Sequence, residues 1–281
     1  GVTKFVDSIT PEDIAEAKAA SSSKRDAAFF YRMRATGTTD MRAWFGTDKP
    51  GRSLLARCLL GGTVSLLVGA SAAIISVILG VTVGLIAGYR GGWVDQVLMR
   101  FVDINYGLPY VLLVILFKVA FEGPLEDLFG GNTRVANIVV LFVAIGLVSW
   151  LTMARVVRGQ VLSLRAQPFI EACRAMGIPE WRIFLKHLLP NLVGPITVYA
   201  TLTVPQAVLQ ESFLSFLGIG VSPPMPSWGN LASDGITVAF LEPPLWWQLL
   251  FPCVLLGITL LALNYLGDGL RDFFDPKKEA A

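Results

Sequence analysis

Five stretches of this chain run for many residues without a charge, separated by short polar segments. They are Leu59–Gly88, Ile104–Phe117, Val135–Ala154, Leu188–Gln210 and Pro243–Gly267. A helix needs about 20 apolar residues, at about 1.5 Å each, to cross the hydrocarbon core of a bilayer. The pattern predicts spans over 59–88, 101–121, 135–155, 190–212 and 245–266. The short alternating segments of a membrane β-barrel are absent. The expected fold class is therefore all-α, a polytopic membrane protein.

Within the first span, Gly80, Gly84 and Gly88 recur every fourth residue. Such a stripe of small residues lets a second helix approach closely, and tight packing is a better reading of it than a pore. Tyr89-Arg90-Gly91-Gly92-Trp93 reads as the turn after that span. The second span is less clean, with Asp103 and Asn105 before Pro109, and Lys118 is expected to snorkel to the interface. Gly130-Gly131-Asn132 marks a loop. Pro195 and Pro205 are expected to kink the fourth span. Ser222 to Asn230, rich in proline, reads as a loop that cannot be helix. Trp246 and Trp247 anchor the last span at an interface.

Between the third and fourth spans, segment 156–189 is polar, and Gln167 to Asn191 has the pattern of two short helices. Glu171 and Arg174 lie on the first, and Gly177 is a stop. Pro179 suits the opening turn of the second. There, Trp181, Phe184, Leu185 and Leu188 share one face at helical spacing. Two readings are open: an ordinary solvated loop, or a handle for something outside the membrane.

Charged residues are only 16% of the chain, against about 25% in soluble domains. Their distribution matters more than the net charge of +2. Arg155, Arg158, Arg165, Arg174, Arg182 and Lys186 cluster in and before the polar stretch, with Arg90, Arg100, Arg271, Lys277 and Lys278 at matching span ends. The other side carries Lys118 and Arg134. By the positive-inside rule the stretch and the 271–281 tail are cytoplasmic. Residues 1–57 hold ten Lys/Arg and seven Asp/Glu and no span; Thr10-Pro11-Glu12-Asp13 in them reads as a helix start. With five spans and a cytoplasmic C-terminus these residues lie outside, and a further span is expected before Gly1. The alternative keeps their basic residues inside and changes the span count.

The candidate chemistry is sparse. No GxxxxGK[ST] phosphate loop occurs, so any ATP and magnesium would be bound by partner subunits. Cys58, Cys173 and Cys253 stand far apart, with no metal-ligand or disulfide pattern. The single histidine, His187, has no nucleophile or carboxylate at a telling spacing. No basic stripe interleaved with aromatics suggests nucleic acid. No catalytic residue, cofactor or metal site is expected. Glu211 is an acid flanked on both sides by long uncharged sequence. It is either a structural group near the outer end of its span or the proton site of a secondary transporter acting alone.

Glu171-Ala172-Cys173, then Gly177, then Leu189-Pro190, resembles the EAA motif of ABC importer permeases. In that family the motif reads EAA, three residues, G, nine residues, I, one residue, LP. Cys173 stands for the second alanine and His187 for the isoleucine. Phe45 to Arg52, Glu211 to Asn230 and Leu263 to Asp272 resemble the same branch, the C-type permease subunit of dipeptide, oligopeptide and nickel importers. The resemblance covers about Ala43 to Pro276, whereas residues 1–42 match nothing. It implies a type I importer transmembrane domain over 58–270, and an external segment over 1–57. It also implies a second permease subunit, two ATP-binding subunits, an extracytoplasmic substrate-binding protein and surrounding lipid. Glu171, Ala172, Arg174, Gly177, Leu189 and Pro190 would couple the chain to an ATPase subunit.

Overall fold

The computed structural model describes residues 45–48, 51–240 and 245–274, all within one compact unit that begins at Phe45. The expected helix start near Thr10 and the pair Lys277-Lys278 lie outside the described residues. Apart from an isolated bridge between Thr47 and Ser53, the regular elements among the described residues are helices.

The longest is α1, Leu54–Arg90. It is followed by α2, Gly92–Tyr106, and α3, Tyr110–Leu128. Helix α4 covers Thr133–Arg165, and the short helices α5 and α6 cover Pro168–Ala175 and Glu180–Ile183. Helix α7 covers Leu189–Phe216, α8 Trp228–Ala239 and α9 Trp247–Phe274. Among the described residues, four helical stretches are long and apolar enough to cross a membrane: α1, α4, Glu180–Phe216 and α9. The pair α2–α3 qualifies as a fifth only if taken together across a bend of 98°.

That bend corrects the expected span at 101–121. Gly107 ends α2, and Pro109 is the N-cap of α3. Proline disfavours helical backbone in the residue before it, here Leu108, so the apolar run breaks where those residues fall.

Helices α1 and α4 run parallel in close contact, and the glycine stripe is the reason. A Cβ built on Gly80 would lie 2.5 Å from that of Met153, one on Gly84 2.6 Å from the Ala154 carbonyl, and one on Gly88 2.8 Å from Val161. Gly146 of α4 receives Ile75 of α1 in the same way. The stripe is thus the packing device expected of it. Helix α7 lies antiparallel to α1, with Gly69 beneath Val204 and Val208, and α9 lies antiparallel to α7, with Gly267 against Leu202. The largest core cluster joins Val68 and Ala72 of α1, Val114 of α3, Leu141 and Ile145 of α4, and Leu214 of α7.

Two further expectations fail. Trp228-Gly229-Asn230 opens a helix, α8, instead of closing a loop. Ser227 and Asn230 form a reciprocal capping box, with Asn230 Oδ1 accepting from the Ser227 N–H at 2.9 Å. Trp228 is buried and donates through Nε1 to the Cys58 carbonyl at 3.0 Å. The run of breakers ends at the cap, one residue before the helix. Lys118, for its part, does not snorkel. Its Nζ donates to the carbonyls of Ile219 and Gly220 at 2.8 and 3.4 Å, capping the turn after α7. Helix α7 also continues through Pro195 and Pro205 without a break.

At the start of α1, Asp48 is buried and accepts from the Arg52 N–H and Nε, both at 2.7 Å, and from Arg57 Nη1 at 2.8 Å. Trp247 Nε1 and Gln248 Nε2 each donate to the Thr47 carbonyl at 3.2 Å. Phe45 stacks on Phe251 with ring centroids 4.0 Å apart. This turn therefore ties α1 to α9.

Candidate functional site

The polar stretch does fold into short helices. Helix α5 ends in a Schellman motif: Ile178 N–H bonds the Cys173 carbonyl at 3.1 Å and Gly177 N–H the Arg174 carbonyl at 2.9 Å. Gly177 has φ +72°, a conformation that costs any residue with a Cβ. Glu171 and Ala172 stand exposed on α5. Arg174 is exposed too, but its Nε pairs with Glu180 Oε1 at 3.1 Å, inside the stretch.

The second helix departs from expectation in two ways. First, Trp181, Phe184, Leu185 and Leu188 do not share a face. Leu188 is buried with Ile170, Cys173 and Ile183, and Phe184 packs on that cluster. Trp181 and Leu185 point out, 61% and 53% exposed, alongside Phe169 and Met176. The second departure is a five-residue π turn at Phe184–Leu188, which rotates Leu188 away from Leu185. Pro190 has no N–H to donate and its ring crowds the carbonyl four residues back; the wider π turn is a local answer to both. The helix is continuous from Glu180 to Phe216, with Leu189 half-buried against the cluster of Leu85, Met153, Val157, Val161 and Leu192, and Pro190 exposed.

The stretch thus has the layout of a lever, set between two long helices. It is joined by backbone to the end of α4 and is the physical extension of α7. It also touches α1, through a residue that sequence reasoning passed over. Tyr89, in the last turn of α1, donates its hydroxyl to the Glu180 carbonyl at 2.9 Å and to the Glu180 carboxylate. Its ring meets Phe184 edge-on, centroids 5.5 Å apart. Arg165, closing α4, donates to the carbonyls of Gly88 and Tyr89 at 2.8 and 2.6 Å. Those are the free carbonyls at the negative end of α1, where a guanidinium belongs. The signal in the sequence was a tyrosine beside a glycine pair, which looks like turn composition.

Nearby, Asp95 of α2 holds Arg158 of α4 through two bonds of 2.5 and 2.6 Å. Asp103 holds Arg155 at 2.8 Å, and the Arg155 guanidinium lies 3.9 Å from the Tyr106 ring centroid. These pairs pin α2 to α4 just before the bend.

Glu211 lies far from the lever. It is fully buried between α1 and α7. Its Oε2 accepts from Ser65 Oγ at 2.6 Å, and its Oε1 from Ser215 Oγ at 2.6 Å. Ser215 Oγ in turn accepts from the Val221 N–H at 3.0 Å. The carboxyl is enclosed and partnered, an arrangement that suits a structural knot.

The described residues contain no group of three or more His, Cys, Asp and Glu that could hold a metal ion. Residues 80–280 match a family described as "Binding-protein-dependent transport system inner membrane component". The chain is 47% identical over 245 residues to the oligopeptide transport system permease protein OppC of Haemophilus influenzae, covering 87% of this chain and 74% of that one. It is 44% identical over 234 residues to the dipeptide transport system permease protein DppC of Bacillus subtilis, covering 83% and 68%. Among solved structures, an inward-facing form of the MetNI methionine ABC transporter superposes with a TM-score of 0.63 at 19% identity. That match covers 82% of this chain and 100% of that one, and shows a shared fold.

Proposed function

This chain belongs to the family of binding-protein-dependent transport system inner membrane components, and from that premise we propose that it forms half of the translocation pathway of an ATP-driven peptide importer. The family is one of permeases, not of catalysts. Peptide cargo is supported by the oligopeptide and dipeptide permeases it resembles at 47% and 44% identity. The other half of the pathway would be a second permease subunit. Two ATP-binding subunits would bind ATP and magnesium and hydrolyse the nucleotide. An extracytoplasmic binding protein would deliver the peptide. The count of Lys and Arg at span ends supports a cytoplasmic position for the lever and the C-terminus at the inner membrane.

The observation that carries this reading is the exposed apolar surface of the lever. Phe169, Met176, Trp181 and Leu185 are 41%, 70%, 61% and 53% exposed on a segment that is otherwise polar. Exposed apolar patches rimmed by charge mark sites for a protein partner. With Glu171, Ala172 and Arg174 at its rim and Gly177 setting its angle, the patch fits a groove on an ATPase subunit. Closure of the nucleotide-bound pair would then tilt α4 and α7 as rigid bodies.

The test is Met176→Ser with Trp181→Ser in the complex reconstituted with its partners. The expected result is loss of the ATPase subunits on purification and of binding-protein-stimulated hydrolysis. Full retention of both would sink the reading. The alternative, a proton-coupled transporter built on Glu211, has less support, because that carboxyl is sealed on both oxygens.

A further inference from the structure

Tyr89 sits where the lever-side ends of three long helices converge. Its own helix is α1; Arg165 brings the end of α4 to its carbonyl, and Glu180 opens the continuous helix that becomes α7. The charges are arranged as helix dipoles favour, a cation at the carboxyl end of α1 and a carboxylate in the first turn of α6. Backbone joins the lever to α4 and α7 but not to α1. Tyr89 supplies that third tie. It is the α1 residue that packs on the buried cluster of Ile170, Cys173, Ile183 and Leu188, and its hydroxyl reaches the lever.

We propose that the hydroxyl of Tyr89, bonded to Glu180, is a coupling joint that makes α1 move with the lever when the ATPase subunits displace it. Tyr89 is a positioning residue: it acts through the lever and touches no cargo. Without the tie, a push on α5 reaches α1 at second hand, through α4, whose Arg165 holds the Gly88 and Tyr89 carbonyls, and through the packing of the Tyr89 ring. Since α1 and α4 interlock through Gly80, Gly84 and Gly88, slack at this end would let the pair shear. ATP would then be hydrolysed with less movement of the pathway. Glu180 is more than half exposed, so the joint works by fixing geometry more than by adding stability.

The inference rests on the reading of the lever as the ATPase seat. The test uses the assembled complex, both permease subunits, ATPases and binding protein, reconstituted in liposomes. Peptide taken up is divided by ATP hydrolysed, for Tyr89→Phe, Glu180→Gln, the double variant and Trp181→Ser. The ratio is the useful readout. A complex that is merely less stable loses uptake and hydrolysis together, and its ratio does not move. Tyr89→Phe keeps the ring on Phe184 and removes the hydroxyl alone. Its ratio is expected to fall severalfold, with the double variant no lower than Tyr89→Phe. A Tyr89→Phe ratio equal to that of the unaltered chain overturns the proposal. If Trp181→Ser abolishes stimulated hydrolysis while Tyr89→Phe changes nothing, the joint fails and the lever reading stands. If neither matters, both fail.

Discussion

Ser65 of α1 donates its hydroxyl to Glu211 of α7 at 2.6 Å, in a layer where neither side chain touches solvent. The bond crosses between two antiparallel spans and continues through Ser215 to the backbone of Val221. On the far side of that turn, Lys118 holds the carbonyls of Ile219 and Gly220, and Asn137 accepts from the Ser222 N–H at 3.3 Å. Helices α1, α3, α4 and α7 are therefore tied to one short turn by polar bonds. Inside an apolar bundle, such a network rigidifies when every member is satisfied and costs heavily when one is removed.

Glu211→Ala leaves the hydroxyls of Ser65 and Ser215 without their acceptor. Each unsatisfied group costs about 1–3 kcal/mol, so the loss is large. Glu211→Gln keeps an acceptor and costs less. The expected order of denaturation temperature for the purified complex is unaltered chain, then Gln, then Ala. Glu211→Gln is also expected to retain ATP-driven uptake in vesicles. Uptake abolished by Gln in a complex of unchanged stability would revive a proton-carrying role for this acid.

How much of the fold is legible in the sequence depends on how local each signal is. Four of the five uncharged runs, the glycine stripe and the stop at Gly177 are written in adjacent or periodic residues, and these appear in the fold as read. The break in the second span was visible as Pro109, yet whether a proline kinks or severs a helix depends on its neighbours; here the chain leaves the helix over residues 107–109 and turns through 98°. The parting of Leu185 from Leu188 could not be read because a π turn adds a residue to the helical repeat, which a fixed spacing cannot anticipate. The ties Tyr89–Glu180, Lys118–Ile219 and Ser65–Glu211 join residues 91, 101 and 146 positions apart. No pattern along a single sequence carries that information.

The interlock of α1 and α4 gives a sharp contrast between glycines. A Cβ on Gly84 would meet the Ala154 carbonyl at 2.6 Å, and backbone there cannot yield without separating the helices. Gly84→Val is expected to cost upwards of about 3 kcal/mol, at the high end of overpacking, and to prevent assembly of a complex recoverable by affinity purification. Gly257 of α9 has nothing within 4 Å of a built Cβ. Gly257→Ala is expected to be neutral or to stabilise by up to about 1 kcal/mol. Equal effects at the two positions would show that the close approach is not what the stripe is for.

Asp48 gathers three donors from Arg52 and Arg57 while almost wholly buried. In Asp48→Ala, Arg57 keeps only the exposed Asp234 at 3.4 Å. Arg52 is half exposed and Arg57 keeps a partner, so the cost is that of lost charge-assisted hydrogen bonds, about 1–3 kcal/mol. The expected result is a lower denaturation temperature for the complex, with proteolysis near Phe45 as the first cleavage, because the turn holding Thr47 against Trp247 and Gln248 is released. Asp48→Asn keeps part of the acceptor set and should fall between the two. A cleavage pattern unchanged in Asp48→Ala would mean that the turn is held by Phe45 and Thr47 alone.

Gly177 separates backbone conformation from contact. A Cβ there would meet nothing within 4 Å, so Gly177→Ala introduces no clash; the sole penalty is φ +72° in a residue that disfavours it, about 1–2 kcal/mol. Asparagine tolerates that region better, so Gly177→Asn should behave almost as glycine does. The Schellman turn fixes the angle between α5 and α6, and with it the spacing of Met176 from Trp181. Relaxing the turn is therefore expected to reduce binding-protein-stimulated ATP hydrolysis severalfold in Gly177→Ala, with little change in Gly177→Asn. Alanine and asparagine variants with the same loss would point to the missing hydrogen at Cα, and so to close contact with a partner. Variants without loss would mean that the angle of the turn does not govern coupling.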